Sequence, residues 1–424
     1  MNTAKRFLFR VLFVYVLLYC FPFPVNVIPI VGEMIEQPYT DLWNEAVPWV
    51  GERVFRVEIR FQPAGSGDTT YNYVQLYCFL VLALAAAALW MAISFFRWRN
   101  RERPSDARLH EWLRVYVRFV LATAMIFYGA SKVVPAQMAA PWPGKLLQPI
   151  GDASPMGLVW TFMGASFAYM AFTGAGEMLG GLLLAFRRTT LLGALVCIGV
   201  MSNVVMINFS YDVPVKLYSS HLLLMAVFLA IPDLKRLANL LVLNRRVPPS
   251  ERGPLFADRE RHWAALALRT AFVLFITWTS LHGAWQAYRE FGGAPRPRLY
   301  GVWEVEALTI DGVDRPLLIT DAEVWRRLTF EWPGVIGIQR AQDARVRYYE
   351  LKREPGARGF VLTKYDDPAW KARVSYRLAG ADLLALESEM DGKEVRARFR
   401  RRDESSYRLV SRGFRWINEW PYNR

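Results

Sequence analysis

The chain has 424 residues, of which 53% are hydrophobic and 14% aromatic. It is too apolar for an ordinary soluble protein and too long for one small domain. The formal net charge is +14, but the basic residues flank apolar segments, which indicates a membrane protein and not a nucleic-acid-binding one. The cysteines Cys20, Cys78 and Cys197 lie far apart with no CxxC pair, so we expect neither a disulfide framework nor a zinc site.

Seven apolar segments are long enough to cross a bilayer, which takes about 20 residues. With approximate ends, they are Phe7–Val31, Tyr73–Phe96, Leu113–Val134, Gly157–Phe186, Thr189–Asn208, Leu217–Leu229 with an extension to Leu243, and Ala264–Trp285. A signal peptide is the alternative for the first segment. That segment is long, contains prolines and lacks a small-residue cleavage site, so we expect a retained helix.

Positive charges predict the direction of these spans. They cluster before span one, after span two, and between spans four and five and spans six and seven: Lys5, Arg6, Arg10, Arg97, Arg99, Arg101, Arg103, Arg108, Arg187, Arg188, Lys235, Arg236, Arg245, Arg246, Arg252, Arg259 and Arg261. In contrast, Glu33–Asn72 carries seven acidic residues and three arginines. The pattern predicts a multi-pass bacterial inner-membrane protein in contact with the lipid bilayer, with a cytoplasmic N-terminus and a periplasmic C-terminal domain.

The segment 296–424 has no helix-length apolar run, and short alternating stretches predict strands: VWEVEAL, RVRYYEL, GFVLTKY, RVSYRLAG, LLALESEM, VRARFRRR and YRLVSRGF. Turn signals separate them at Asp311-Gly312, Pro355-Gly356, Ala379-Gly380 and Asp391-Gly392. This pattern predicts an antiparallel β-barrel or sandwich. Gly301-x-Trp303 resembles the opening signature of lipocalin-type barrels, and other all-β folds are the alternative.

Basic residues alternate along one of these strands, at Arg396, Arg398, Arg400 and Arg402. Alternation places them on one face. We expect a solvated outer face, with a surface for anionic headgroups or a partner as the alternative. The terminal stretch FRWINEWPYNR mixes aromatic and charged residues, which is typical of a segment at the membrane boundary.

Glu177 lies inside an apolar span, in FTGAGEMLGG. A charge at that depth costs several kcal/mol, while the neighbouring glycines, with Gly176-x-x-x-Gly180 in particular, allow close helix approach. We therefore expect Glu177 to face the bundle interior, about two-thirds of the way across, and to pair with a polar group there. The alternative is a protonated carboxyl that joins two helices.

A second polar group gathers at one predicted membrane depth, at the ends of spans three to six: Lys132, Asp152, Asn203, Asn208, Asp212, Lys216 and His221. Simple loop pairs, Asp212–Lys216 or Lys132–Asp212, are one interpretation. The functional one is a small polar cavity that these residues line as binding groups, with Glu177 and His221 as the candidate catalytic residues and His221 as a proton carrier. His221 and His282 share a level and would suit a haem, a cofactor that we consider unlikely on two histidines.

Four stretches carry a family resemblance: YGASKVVPAQMAAP, GDASPMGLVWTFMGAS, GAGEMLGGLLLAFRRTTLLGAL and NVVMINFSYDVPVKLYSSHLLL. Together they resemble the DoxX-like membrane proteins over residues 113–243, and GSGDTTYNY also looks like a feature of the larger DoxX-like proteins. The resemblance implies a four-helix core. Some DoxX-like proteins are similar to the membrane subunit of thiosulfate:quinone oxidoreductase, which implies a redox role with a quinone. This chain adds spans one, two and seven and the β domain.

The predicted organisation is a membrane α-helical bundle followed by a β domain, in four parts. Residues 1–112 form two transmembrane helices with an extracytoplasmic loop, and residues 113–243 form the four-helix core. Residues 244–295 contain a cytoplasmic loop and the seventh span, and residues 296–424 form an extracytoplasmic antiparallel β-barrel domain. The leading hypothesis is a redox-associated membrane protein that binds a quinone or similar apolar carrier, as an oxidoreductase subunit if it is an enzyme. The alternatives are an assembly protein that docks a membrane or periplasmic partner, and a protein that holds a lipid or small apolar ligand in its barrel. An interior filled by large side chains argues against the last.

Overall fold

The computed structural model describes residues 2–61, 65–97, 106–247, 258–343, 345–353, 359–413 and 415–421. The α-helices in these ranges are α1 (Thr3–Cys20), α2 (Val31–Val50), α3 (Thr70–Arg97), α4 (Ala107–Val133), α5 (Pro143–Leu147), α6 (Pro155–Ala165), α7 (Phe167–Ala185), α8 (Thr190–Ser210), α9 (Lys216–Ala230), α10 (Leu234–Leu241), α11 (Arg259–Glu290) and α12 (Arg408–Ser411). The strands are β1 (Gly301–Ile310), β2 (Val313–Asp314), β3 (Trp325–Phe330), β4 (Val335–Arg340), β5 (Val346–Arg353), β6 (Gly359–Lys364), β7 (Lys371–Ala379), β8 (Leu383–Met390) and β9 (Lys393–Arg402).

The chain folds into two compact units. One contains Met1–Val134 and Ala171–Ala284, and the other contains Pro135–Met170 and Trp285–Arg424. Within the described residues, seven helical segments are long and apolar enough to cross a membrane: Thr3–Val27, Thr70–Arg97, Ala107–Val133, Phe167–Ala185, Thr190–Ser210, Lys216–Leu241 and Arg259–Glu290. This confirms the predicted helical bundle with seven candidate spans and indicates a multi-pass membrane protein.

Two helices of the first unit, α1 and α3, begin at polar caps that their sequences supply. The Asn2 side chain accepts a hydrogen bond from the amide of Lys5 at the start of α1. At the start of α3, Thr69 and Asn72 exchange bonds between side chain and backbone, an arrangement that satisfies the first amides of a helix. α1 packs along α3, and α8 packs along α9. Buried apolar side chains of α1, α4, α8 and α9 meet in one core cluster of this unit.

The fourth predicted span, Gly157–Phe186, is not one continuous helix. The backbone is extended at Ser166, with φ −130° and ψ 94°, and this residue separates α6 from α7. The Ser166 hydroxyl accepts a weak bond from the amide of Tyr169, so a serine inside an apolar run acts as the cap of a new helix. A second difference is α2, which occupies much of the stretch that we had predicted as an extracytoplasmic loop.

The second unit contains a closed antiparallel barrel. Strands β1 and β3 to β9 pair in sequence order, and β1 also pairs with β9, which closes the ring of eight strands. β2 forms a short hairpin with β1. Asp311-Gly312 and Asp391-Gly392 have positive φ at both residues, as two-residue hairpin turns of this kind require. The predicted β-barrel is therefore confirmed, and the predicted turn at Pro355-Gly356 lies outside the described residues.

Large side chains fill the barrel interior. Trp303 and Phe399 are fully buried there, and the Trp303 indole donates to the carbonyl of Leu299 at 2.8 Å. The same core contains Leu308, Ile310, Val324, Trp325, Leu328, Phe330, Ile336, Ile338, Tyr349, Phe360, Leu362, Val374, Leu384, Leu386, Met390 and Val395. The alternate residues of β9 point outward, and Arg396, Arg398 and Arg400 are exposed, as the alternation predicted. Arg402, the fourth predicted member of this face, is half-buried and pairs with Glu304 at 3.0 Å.

The strand predictions need correction in two respects. YRLVSRGF is not a strand, since its residues Arg408–Ser411 form α12. The Asp403 side chain accepts from the amide of Ser405 and starts a tight turn directly after β9, so the chain leaves the barrel there. β3 and β4 were missed, because WRRLTF has adjacent charges and VIGIQR is a short apolar run without alternation.

The segment Pro135–Met170 belongs to the barrel unit, although we had assigned it to the four-helix core. Glu331 at the end of β3 accepts the amide proton of Gly144 at 2.7 Å. The rings of Trp142 and Trp332 lie 5.3 Å apart beside this bond. α5 is therefore held against the barrel by a buried hydrogen bond and an aromatic contact.

Candidate functional site

A buried ion pair lies between α4 and α7. The Nζ of Lys132 donates to both carboxylate oxygens of Glu177 at 2.8 Å. Lys132 is 7% exposed and Glu177 is 3% exposed. Glu177 faces the bundle interior and has a polar partner there, and that partner is Lys132 and not Asp212. The expected loop pair Lys132–Asp212 is thus replaced by a contact inside the bundle.

Glycines on one face of α7 bring the two charged groups together. A Cβ on Gly174 would lie 2.6 Å from the carbonyl oxygen of Gly129 in α4, and one on Gly181 would lie 2.8 Å from that of Ala122. Gly174, Glu177 and Gly181 share a helix face, because residues three and four apart are neighbours on a helix. The backbones of α4 and α7 are therefore in contact, and the short distance lets Lys132 reach across.

The predicted Gly176-x-x-x-Gly180 pair has a different role. A Cβ on Gly180 would lie 2.7 Å from the Sγ of Cys197 in α8, whereas one on Gly176 would meet only Val200 at an ordinary 3.6 Å. The close approach to α4 thus depends on Gly174 and Gly181. Glu177 is the eleventh of the 19 residues of α7, about 15 Å from its first residue at 1.5 Å per residue. Because the break at Ser166 makes α7 shorter than the predicted span, Glu177 lies near the middle of this helix.

A row of aromatic side chains begins beside the ion pair. The Nζ of Lys132 lies 5.9 Å from the ring centre of Tyr128, and the rings of Tyr128 and Tyr218 are 6.0 Å apart. Tyr218 precedes His221 by three residues on α9, so both lie on one helix face. The His221 ring stacks on Tyr19 of α1 with centres 4.0 Å apart. An aromatic row therefore runs from α4 across α9 to α1.

Both ring nitrogens of His221 are engaged. The Nδ1 lies 2.7 Å from the carbonyl oxygen of Leu217, and the Nε2 lies 2.7 Å from the hydroxyl of Tyr15. A carbonyl only accepts, so Nδ1 carries the proton and, in the neutral ring, Nε2 accepts from Tyr15. His282 lies on α11, where it is exposed and stacks on Trp278 at 5.8 Å.

A second charged group surrounds the start of α9. The Asp68 carboxylate accepts from the amides of Lys216 at 2.7 Å and Leu217 at 2.9 Å, and it thereby caps α9 from the segment before α3. The Nζ of Lys216 binds the exposed Asp212 at 2.8 Å. This confirms the loop pair Asp212–Lys216 and adds Asp68 to it.

The remaining candidates are dispersed. Asn208 is buried and its amide donates to the hydroxyl of Ser219 at 3.0 Å. Asn203 is exposed on α8, and Asp152 is exposed in the segment that belongs to the barrel unit. The hydrogen bonds of the described residues thus divide the predicted set into the Lys132–Glu177 pair, the Asp212–Lys216 pair, the Asn208–Ser219 pair and His221 with its tyrosines.

The sequence analysis missed Asp68, Tyr15, Tyr19, Tyr128 and Tyr218. A signal existed for Asp68, since GSGDTTYNY was already a family-like stretch. It also existed for Tyr128, which precedes Lys132 by one helical turn in YGASK. The other tyrosines lie in apolar runs, where an aromatic residue is ordinarily part of the core.

The chain is 35% identical over 121 residues to the uncharacterized protein YwoB of Bacillus subtilis (strain 168), and the match covers 28% of this chain and 75% of YwoB. The chain belongs to the YwoB family. Membership in the YwoB family brings no activity with it, because the name of YwoB states none. No family model matches the chain, and no solved structure does.

Proposed function

We propose that this chain is a DoxX-like, redox-associated protein of the bacterial inner membrane that binds a quinone or a similar apolar carrier. In this proposal the N-terminus is cytoplasmic and the barrel is periplasmic, in keeping with the distribution of basic residues. The observation that carries the proposal is the buried ion pair between Lys132 and Glu177.

An ion pair in this position is costly to maintain. The desolvation of two charges is repaid only in part by their attraction, and a well-packed apolar pair is often as stable. Ionisable groups inside a membrane segment therefore mark a functional site by default. Gly174 and Gly181 of α7 allow α4 to approach closely enough for the two charges to meet. The glycines and Glu177 on this face of α7 therefore act together to form the ion pair.

The donor set fits a quinone. A quinone has two carbonyl acceptors on a flat apolar ring, and it takes up two protons and two electrons when it is reduced. Lys132 has three N–H groups, of which two point to Glu177. Tyr128 offers an aromatic face beside the ammonium group. In this site Lys132 donates a hydrogen bond to a carbonyl oxygen of the carrier. When the carrier is reduced, its two oxygens each gain one proton; both protons come from water, and the Glu177 carboxylate relays one of them.

The row of tyrosines and His221 extends the site. Neutral His221 accepts from the Tyr15 hydroxyl and donates to a backbone carbonyl, so it moves a proton only if one of these bonds exchanges. We assign His221 and Tyr218 to orientation of the carrier ring and to proton transfer beyond the ion pair. Electrons reach the carrier from a partner redox protein of the membrane or periplasm.

The alternatives differ in their support. Holding an apolar ligand in the barrel is disfavoured, because Trp303, Phe399 and their neighbours fill the interior. One observation supports an assembly or docking role. Trp416 and Trp420 near the C-terminus are 90% and 82% exposed, which suits a membrane interface or a partner surface. A partner that co-purifies in a stoichiometric amount, with no quinone bound, would favour the docking role.

Titration of the full-length protein in mild detergent with short-chain ubiquinone and menaquinone analogues tests the proposal. We expect saturable quenching of tryptophan fluorescence, with an affinity about tenfold weaker in Lys132→Gln, since one charge-assisted hydrogen bond is lost. Glu177→Gln should weaken binding in the same direction. The control is Glu36→Gln, which removes an exposed carboxylate on α2. Unchanged quinone affinity in both site variants would contradict the proposal.

A further inference from the structure

A second buried charge lies on α4, far from the ion pair. Arg118 is 5% exposed and precedes Lys132 by 14 residues. At 1.5 Å per residue the two lie about 21 Å apart along the helix axis. Arg118 is therefore near the opposite end of the bundle, at the level of the Arg187–Arg188 turn between α7 and α8.

Other cations lie close enough to Arg118 for their charges to act on it. The charges that act on it are those of Arg269, Arg187 and Arg114, and Arg187 also acts on Arg269. These residues come from α11, from the turn after α7 and from α4 itself. The ring of Phe119 lies 5.5 Å from that of Phe272 on α11, so α4 and α11 are in contact at this level.

The polar groups of this cluster are poorly satisfied. The closest polar partner of Arg118 is the hydroxyl of Thr190, 3.5 Å from its Nη1. The Nε of Arg118 and the Nη1 of Arg187 are buried without a hydrogen-bond partner in the described part of the chain. Among the described residues, neither these two arginines nor Arg269 forms an ion pair within 4.0 Å.

Another buried arginine, Arg10, has a carboxylate beside it. Arg10 is 4% exposed, and its guanidinium donates to Asp106, to the hydroxyl of Ser94 and to the carbonyl of Trp90. Arg10 thus has a carboxylate, which it shares with Arg6, and further acceptors that include the sulfur of Met91. Its Nε, like that of Arg118, has no hydrogen-bond partner in the described part of the chain. In Arg118 the same kind of burial comes with a hydroxyl at the limit of hydrogen-bond distance and three like charges.

We propose that Arg118, Arg187 and Arg269 bind a phosphate-bearing anion. Burying a cation without a counter-charge is energetically unfavourable, and guanidinium groups match the paired oxygens of a phosphate. A phospholipid headgroup and free inorganic phosphate share this chemistry. Basic pockets between membrane helices on the cytoplasmic side suit anionic lipid headgroups, and this end of the bundle is the predicted cytoplasmic one.

Thermal unfolding of the detergent-purified full-length protein tests this site. Phosphatidylglycerol, phosphatidylcholine and inorganic phosphate are added in separate arms. Arg118→Gln and Arg187→Gln remove site charges, and Arg188→Gln removes an exposed charge from the same turn as a control. We expect phosphatidylglycerol or inorganic phosphate to raise Tm in the wild type and in the control, with an apparent affinity about tenfold weaker in Arg118→Gln and in Arg187→Gln.

Comparison of the three additives also shows whether the bound anion is a lipid headgroup or a soluble phosphate. A response to phosphatidylglycerol without one to phosphate assigns a lipid headgroup, and the reverse assigns a soluble phosphate. If Arg118→Gln does not fold, native mass spectrometry of Arg187→Gln supplies the same comparison through loss of a co-purified phospholipid or phosphate. Equal responses in Arg187→Gln and Arg188→Gln, or a wild type that responds to phosphatidylcholine as strongly as to the anions, would overturn the proposal.

Discussion

Glu177 and Glu331 are both 3% exposed, and their side chains are satisfied in different ways. Glu177 has a full cation, Lys132, on both oxygens. Glu331 has neutral donors only, the amide of Gly144 at 2.7 Å and the hydroxyl of Tyr348 at 3.2 Å. Its Oε2 is buried without a partner among the described residues. We therefore predict that the two carboxylates respond differently to mutation and to pH.

For the ion pair, we predict strong non-additivity. Lys132→Met or Glu177→Leu alone leaves one buried charge unpaired and should lower the free energy of unfolding by about 3–5 kcal/mol. The double variant leaves no charge and should lose much less than the sum. Unfolding in mixed micelles with increasing sodium dodecyl sulfate measures this cycle. Additive losses would mean that the two residues do not interact in the membrane.

For Glu331, we predict a pH-dependent barrel unit. Burial raises the pKa of Glu331 above 4.5, its ordinary value, although hydrogen bonds from Gly144 and Tyr348 oppose the shift. The folded state then holds the proton more tightly than the unfolded state. This contribution to stability is full below pH 4.5 and is lost as pH rises through the raised pKa.

The variant Glu331→Gln should flatten this dependence. Urea unfolding of the full-length protein in detergent, followed by tryptophan fluorescence between pH 4 and 8, gives the slope for each protein. The exposed Glu387 on β8 supplies the matched control, Glu387→Gln, which should keep the wild-type slope. A Glu331→Gln slope equal to that of the wild type would contradict the assignment.

Among the elements, the contact between α4 and α7 depends on specific glycines. A Cβ at Gly174 would lie 2.6 Å from the backbone oxygen of Gly129, whereas one at Gly176 meets an ordinary contact at 3.6 Å. We predict that Gly174→Ala separates the helices and lowers the free energy of unfolding by 1–3 kcal/mol, as overpacking typically does. Gly176→Ala should be near neutral or slightly stabilising.

The same micelle unfolding assay compares the two alanine variants. Gly174→Ala should also weaken quinone binding, because it displaces Lys132 from Glu177. Equal stability of the two variants would show that the close approach of α4 and α7 does not occur.

Much of the element structure was predictable from the sequence, and the exceptions have physical reasons. Helix length and apolar content located seven spans, and the Asp-Gly pairs located two hairpin turns, because both signals are local. The break at Ser166 was missed, since a single serine interrupts a run whose hydropathy is otherwise continuous. The strand prediction at Arg408–Ser411 was wrong for a similar reason, because the turn at Asp403 decides the path of the chain.

The candidate site was only partly predictable. Glu177 was recognisable as a costly charge among glycines, but nothing local pairs it with Lys132, which lies 45 residues earlier. The grouping of Pro135–Met170 with the barrel depends on a hydrogen bond between Gly144 and Glu331, 187 residues apart. Long-range contacts of this kind leave no periodic signal in one sequence.

At the scale of the whole molecule, the distribution of basic residues predicts the orientation. The native cysteines are not exposed, with Cys78 and Cys197 buried and Cys20 partly so, and they give a low background for labelling. A cysteine in place of the exposed Ser405 should react with an impermeant maleimide from the periplasmic side. A cysteine in place of the exposed Arg246, beyond the span Lys216–Leu241, should react only after the membrane is opened. The opposite pattern would reverse the proposed orientation.

The central claim is that the Lys132–Glu177 site holds a redox-active apolar carrier. The most direct measurement is a reduced-minus-oxidised absorption spectrum of the protein purified in mild detergent with quinone supplied during purification. We predict an ultraviolet change typical of a quinone in the wild type, and its loss in Glu177→Gln at unchanged folding. A flat wild-type spectrum, or an equal quinone signal in Glu177→Gln, would contradict the account.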